Sequence, residues 1–197
     1  MTSGFGYVRT IWTVAVLTVA IGCAEAFYGY VSGSKFLLKD GLEWGYGTVI
    51  YAISALSYGR TQEAESRAGA LIAIVLAIGG CQGAYEVITE FMVQEPDDAA
   101  GLAASSVLSV LGALFVAGLL FRFRRSHDPV VEGSWLSARN DIITSGLDAV
   151  VTLSTTLITA KWPRTAIDVL GVALSFQAAF VVGRDACGAR HGDGVSR

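Results

Sequence analysis

Six apolar runs, each close to the ~20 residues needed to cross a hydrocarbon core, follow one another along the chain. They fall near residues 9–31, 36–59, 68–93, 102–123, 135–160 and 163–183. A segment that long in lipid must satisfy every backbone N–H and C=O within itself, so each run is expected to be a helix. The fourth, LAASSVLSVLGALFVAGLL, carries no charge at all. The connectors SGSK, GRTQEAESR, QEPDD, RRSHDPVVEGS and KWPR are short and hold turn formers or charge, which mark exits from the bilayer. The expected fold class is therefore all-α: a polytopic membrane protein, a six-transmembrane-helix bundle over 1–184 with a short polar tail at 185–197. At 53% hydrophobic and 16% charged residues, with a mean hydropathy of +0.54, no soluble domain of substance is left over.

Charge sets the orientation. Six spans place both termini on one side, which would hold Arg9, Arg60, Arg67, Arg122, Arg124, Arg125, Arg139, Arg184, Arg190 and Arg197, against Lys35, Lys39, Lys161 and Arg164 on the other. The positive-inside rule then predicts cytoplasmic termini, in an integral protein of a bacterial plasma membrane. The N-terminal MTSGFGYVRTIWTVAVL has no clear cleavage site and reads as a retained first span. A net charge of -3, with basic residues scattered over loop ends, argues against nucleic acid as a partner and leaves the lipid bilayer as the obvious one. Cys23, Cys81 and Cys187 are too few and too scattered for a disulfide framework and read as small packing residues. Cys187, His191 and Asp193 share the tail, but their spacing matches no compact metal site, so a disordered tail is expected. No Ser-His-Asp set, His-rich metal site or phosphate-cradling glycine loop is visible, and an enzyme is not expected.

Carboxylates inside the spans are the informative residues, because each costs on the order of 2.5 kcal/mol or more unless it faces a cavity or a partner. They are Glu25, Asp40, Glu43, Glu86, Asp141, Asp148 and Asp168. Asp40 and Asp168 lie near span ends, where a solvated position competes with a functional one. For Glu25 and Glu86 an interhelical hydrogen bond is the expected role, ahead of one in proton or cation transport. The second and fifth spans differ in having polar residues in register. In KDGLEWGYGT, Asp40, Glu43 and Gly47 stand at i, i+3, i+7; in NDIITSGLDAVVT, Asp141, Thr144, Asp148 and Thr152 continue a similar stripe. If the stripes face each other, four to six oxygens converge, which is the chemistry of a hard or borderline divalent cation. Lys39 and Arg139 are placed at helix ends by this reading, leaving no basic partner at mid-span. Protonated acids that hold the bundle together are the competing reading.

These stripes resemble the cation diffusion facilitator family, proton-coupled exporters of divalent metals with six transmembrane helices. The family's second helix follows a pattern like G-S-x-A-L-L-A-D-A-x-[HD]-S-x-x-D, and the chain has GSKFLLKDGLEWGYG, matching at Gly33, Ser34, Leu37, Leu38 and Asp40. Glu43 takes the first ligand position and Gly47 the second. The fifth helix resembles S-x-A-L-x-A-D-A-x-H-x-x-S-D, against SWLSARNDIITSGLD, with Asp141 at the aspartate of A-D-A, Thr144 at the histidine and Asp148 at the final ligand. KWPRTAIDVLG, with Trp162 and Asp168, is similar to the sixth-helix G-W-x-x-A-D-P. Gly47 and Thr144 depart from the expected ligands, and the family's cytoplasmic C-terminal domain has no counterpart, so a membrane-only, divergent member is expected. Glu25 is similar in place to a first-helix Glu of some membrane-only relatives.

The resemblance implies a proton-coupled antiporter of a divalent cation, as a homodimer, with no tightly bound cofactor. Glu43 and Asp148 would be the primary ligands, Asp40 and Asp141 an approach one turn outward, and Thr144 an auxiliary oxygen. The cargo would be manganese, iron, zinc or cobalt; the all-oxygen set suits manganese, ferrous iron or magnesium better than zinc. The rival expectation is a degenerate, non-transporting relative that serves as a membrane subunit or scaffold of a larger complex.

Overall fold

The structure, a computed structural model, describes residues 4–92, 99–126, 128–154 and 162–192. Those residues form six α-helices: α1 (Gly4–Ser32), α2 (Lys35–Ser57), α3 (Gln62–Met92), α4 (Ala99–Leu120), α5 (Pro129–Ser154) and α6 (Trp162–Gly192), with a 3-10 turn at Phe121–Phe123. No strand occurs among the described residues. The chain is an all-α membrane bundle, as its apolar runs predict. Four stretches are long and apolar enough to cross a bilayer by length and composition: Gly6–Ser32, Gln62–Thr89, Ser106–Phe123 and Thr165–Gly188. They belong to α1, α3, α4 and α6. The two remaining helices, α2 and α5, are those that carry the acidic stripes.

The helix boundaries follow local chemistry. Gly33 takes a left-handed φ of 72° between α1 and α2, a conformation that favours glycine, and the Leu37 amide then donates to the Ser34 hydroxyl at the start of α2. Gly59, at φ 74°, closes α2, and the Thr61 hydroxyl accepts from the Ala64 amide as α3 begins. Asp128 accepts from the Val130 amide at 2.9 Å, with Pro129 in the first turn. This cap starts α5 six residues ahead of the expected span, so Arg139 lies in the body of the helix instead of at its end. Its guanidinium donates to neutral amide oxygens, those of Asn140 at 3.0 Å and Gln177 of α6 at 2.7 Å. At the other terminus α6 runs on to Gly192. Most of the expected polar tail is thus helix, carrying Cys187 on an exposed face; Asp193 lies outside the described residues. Cys23 and Cys81 are exposed as well, which corrects their reading as packing residues.

Helix α1 packs closely on α2, and α3 on α6. A Cβ on Gly41 would fall 2.7 Å from the Ala26 amide nitrogen and 2.7 Å from the Gly22 carbonyl, so the α1–α2 approach requires a residue without one. Between α3 and α6, the Ser66 hydroxyl donates to the Ala186 carbonyl at 2.7 Å. All six helices contribute to one apolar core, but it occupies only the half of the bundle next to the termini. Ile11, Tyr51, Ile72, Leu120, Val130 and Val182 are its fully buried members. Hydroxyls staple that half: Tyr7 donates to Ser134 at 3.1 Å, and the Ser54 and Ser134 oxygens lie 2.6 Å apart. Ser54 on the last turns of α2 thus faces Ser134 on the first turns of α5, which makes these two helices antiparallel. Large apolar side chains such as Phe27, Tyr30, Phe115 and Phe180 point outward, as a bundle embedded in hydrocarbon requires.

Candidate functional site

In the half remote from the termini the helices part around a cavity of about 300 Å3. Asp40, Glu43 and Gly47 of α2, Glu86 of α3, Asp141, Thr144 and Asp148 of α5 and Asp168 of α6 all line it. The two acidic stripes, one on each helix by spacing, thus line one cavity. Asp40 and Asp168 contribute to this interior instead of sitting only at solvated helix ends. Six carboxyl groups line the cavity, and no Lys, Arg or His does so among the described residues. An apolar-walled hollow with that lining concentrates cations, since field lines from one sign of charge are focused where the walls are poorly polarisable.

The antiparallel pairing orders the acids by depth. On α2, rising residue number leads from Asp40 through Glu43 towards the termini; on α5 it leads away from them. Asp148 therefore lies towards the remote end with Asp40 and Glu43, and Asp141 sits about two turns deeper. There it acts electrostatically on Tyr51, a ring of the sealed core. Asp141 is therefore not one turn beyond Asp148 on the remote side but about two turns nearer the termini.

Second contacts hold these groups. Ser106 of α4 donates to Asp148 Oδ2 at 2.9 Å, so the carboxylate is oriented from a third helix. The Thr144 hydroxyl donates to the Asn140 carbonyl of its own helix at 3.0 Å, leaving its oxygen lone pairs as the remaining capacity. Asn140, 7% exposed, donates through Nδ2 to the Leu174 carbonyl of α6 at 3.0 Å. The Tyr46 hydroxyl of α2 donates to Gln82 Oε1 on α3, and Gln82 Nε2 donates to Glu86 at 3.0 Å. The bond to Glu86 is made within α3, and Gln82 links it to Tyr46 of α2. A Cβ at Gly47 would meet only Tyr51 Cε2, at 3.4 Å, which is ordinary contact. A Cβ is thus accommodated at the position where the family pattern expects a ligand.

The acids share a cavity without forming a finished cage. Among the described residues no three His, Cys, Asp or Glu side chains come close enough together to hold a metal ion. Glu25 is apart from the group. It is 1% exposed, it lines an apolar hollow with Phe27, Tyr28, Leu37 and Leu108, and neither carboxyl oxygen has a hydrogen-bond partner. The interhelical hydrogen bond expected for Glu25 is not made. Ser106 and Asn140 were not singled out by sequence: uncharged hydroxyls and amides in apolar runs read as packing residues, and only the pairing of helices reveals their partners.

Fold and cavity together define a helical integral membrane protein whose interior offers carboxylate oxygens to a cation. The family model of the cation efflux transmembrane domain matches residues 11–186. The chain belongs to the cation efflux, or cation diffusion facilitator, family, whose members are transporters and not enzymes. No curated protein matches the chain.

Proposed function

We propose that the protein exports a divalent metal cation across a bacterial plasma membrane in exchange for protons, with both termini in the cytoplasm and as a homodimer. The observation that carries this reading is the shared cavity, into which the acids of α2 and α5 converge without a basic residue among its described lining. Glu43 and Asp148 are the primary ligands, Asp40 guards the approach from the remote end, and Asp141 and Thr144 supply oxygens deeper in. An oxygen-only set favours manganese or ferrous iron over zinc and cobalt. Alternating access opens the cavity first to one face and then to the other, with protons taking the place of the cation on the acids when the outer face is open. The absence of a finished cage among the described residues suits a cargo site that assembles around its ion and releases it again.

Reconstituted into proteoliposomes, the protein is expected to drive proton flux that depends on manganese, and Asp148→Asn to abolish it. Undiminished flux in that variant would remove Asp148 from the site. A second reading, a non-transporting membrane subunit, draws on Gly47, which leaves one expected ligand position without a side chain. Calorimetric titration with manganese, iron, cobalt and zinc in detergent separates the two, since a subunit without cargo binds none of them.

A further inference from the structure

Among the described residues, Glu25 is the one fully buried carboxyl that the cavity does not use. Both of its oxygens lack hydrogen-bond partners, and α2 and α4 are the helices packed on α1 around it. The Trp44 indole and Glu43 of α2 and the Ser109 hydroxyl of α4 are the groups that act on its carboxyl. Helix α4 carries no charged residue. Trp44 and Ser109 also line the main cavity, so they form the wall between it and Glu25. The indole is held there by small residues, for a Cβ on Gly22 or Gly112 would fall 2.9 Å from Trp44 atoms.

A metal ion has no use for this position. A divalent cation requires several oxygen ligands, whereas Glu25 offers one carboxyl among Phe27, Tyr28, Leu37 and Leu108. The one cation that a single carboxyl can hold in apolar surroundings is a proton, which binds covalently to one oxygen and removes the charge that burial disfavours. The geometry points to Glu25 as a proton-binding site of the exchange, separate from the acids that hold the metal and reached from the cavity past Trp44 and Ser109. The inference rests on the antiport reading above. Loading adds a proton from cavity water to a carboxylate oxygen of Glu25; unloading returns it to water on the opposite side of the membrane. One proton of each turnover therefore passes through a group that never touches the cargo.

The test counts protons and metal separately. The full chain is reconstituted in vesicles with a trapped pH dye, manganese uptake is followed in parallel, and manganese affinity is measured in detergent. Glu25→Gln is expected to bind manganese within about threefold of wild type while moving one proton fewer per ion, and Glu25→Asp to restore the count. An unchanged proton count in Glu25→Gln overturns the inference while leaving the cavity reading intact. Wild-type protein that binds no manganese refutes the cavity reading and takes the inference with it; wild-type protein that moves manganese without protons overturns it as well. Should Glu25→Gln fail to fold, Ser109→Ala carries the test: proton counterflow slowed about tenfold at unchanged affinity supports the relay, and a wild-type rate overturns it.

Discussion

The two ends of the bundle are built from the same six helices and have opposite interiors. Near the termini, Val130, Val131, Ser134, Leu136 and Ala138 of α5 are all buried. Farther along the same helix, residues 141–146 are only half-buried, and Asp141, Thr144 and Ser145 among them line the cavity together with α2. Helix α2 changes in the same way in reverse: Ile50, Tyr51 and Ser54 are sealed into the core, whereas Asp40 and Glu43 line the hollow. The difference teaches that stability and the proposed cargo handling are divided along the helix axes, not assigned to different helices. Buried apolar area holds the terminal end together; the remote end gives up that packing and keeps carboxyls whose burial is unfavourable until a cation or proton arrives.

This division can be broken deliberately. The largest effect is expected from Ile72→Ala, which leaves a void in the sealed end where Ile72 is 0% exposed. It should cost about 2–5 kcal/mol of stability in a thermal or denaturant melt while manganese affinity, measured on the folded fraction, stays unchanged. A large loss of affinity there would mean that the two ends are not separable. Gly47→Asp sharpens the other side. It places a carboxylate in the space left open beside Glu43, and manganese affinity in calorimetry should rise about tenfold, or about 1.4 kcal/mol, while the metal-free protein melts earlier. The smallest effects come from two serines at opposite ends. Ser134→Ala removes a hydroxyl shared by Tyr7 and Ser54 and should lower stability by about 1 kcal/mol without touching binding. Ser106→Ala removes the donor to Asp148 and should weaken manganese binding a few-fold with little change in melting; the reverse pattern would contradict the division.

Much of this was legible in the residues. Length and apolarity of the runs fix helices and their number, and the i, i+3, i+7 spacing in KDGLEWGYGT and NDIITSGLD places each set of acids on one stripe. Their depth is not legible there, because it depends on the antiparallel pairing of α2 with α5, which sets Asp141 deeper than Asp148. The start of α5 was obscured by polar residues in RRSHDPVVEGS, although Asp128 and Pro129 form a helix-start signal there. Ser106 and Asn140 gain meaning only from partners on other helices. Glu25 shows the same limit in the opposite sense: its hydrogen bond was expected on grounds of cost, and the three-dimensional packing supplies none.

The central claim is that the hollow between α2 and α5 receives the cargo. Crystals of the protein soaked with manganese and measured at its absorption edge test this most directly. The account predicts an anomalous peak inside the cavity, coordinated by carboxylate oxygens of Glu43 and Asp148, and its loss in Asp148→Asn. A peak elsewhere on the molecule, with none in the cavity, would contradict it.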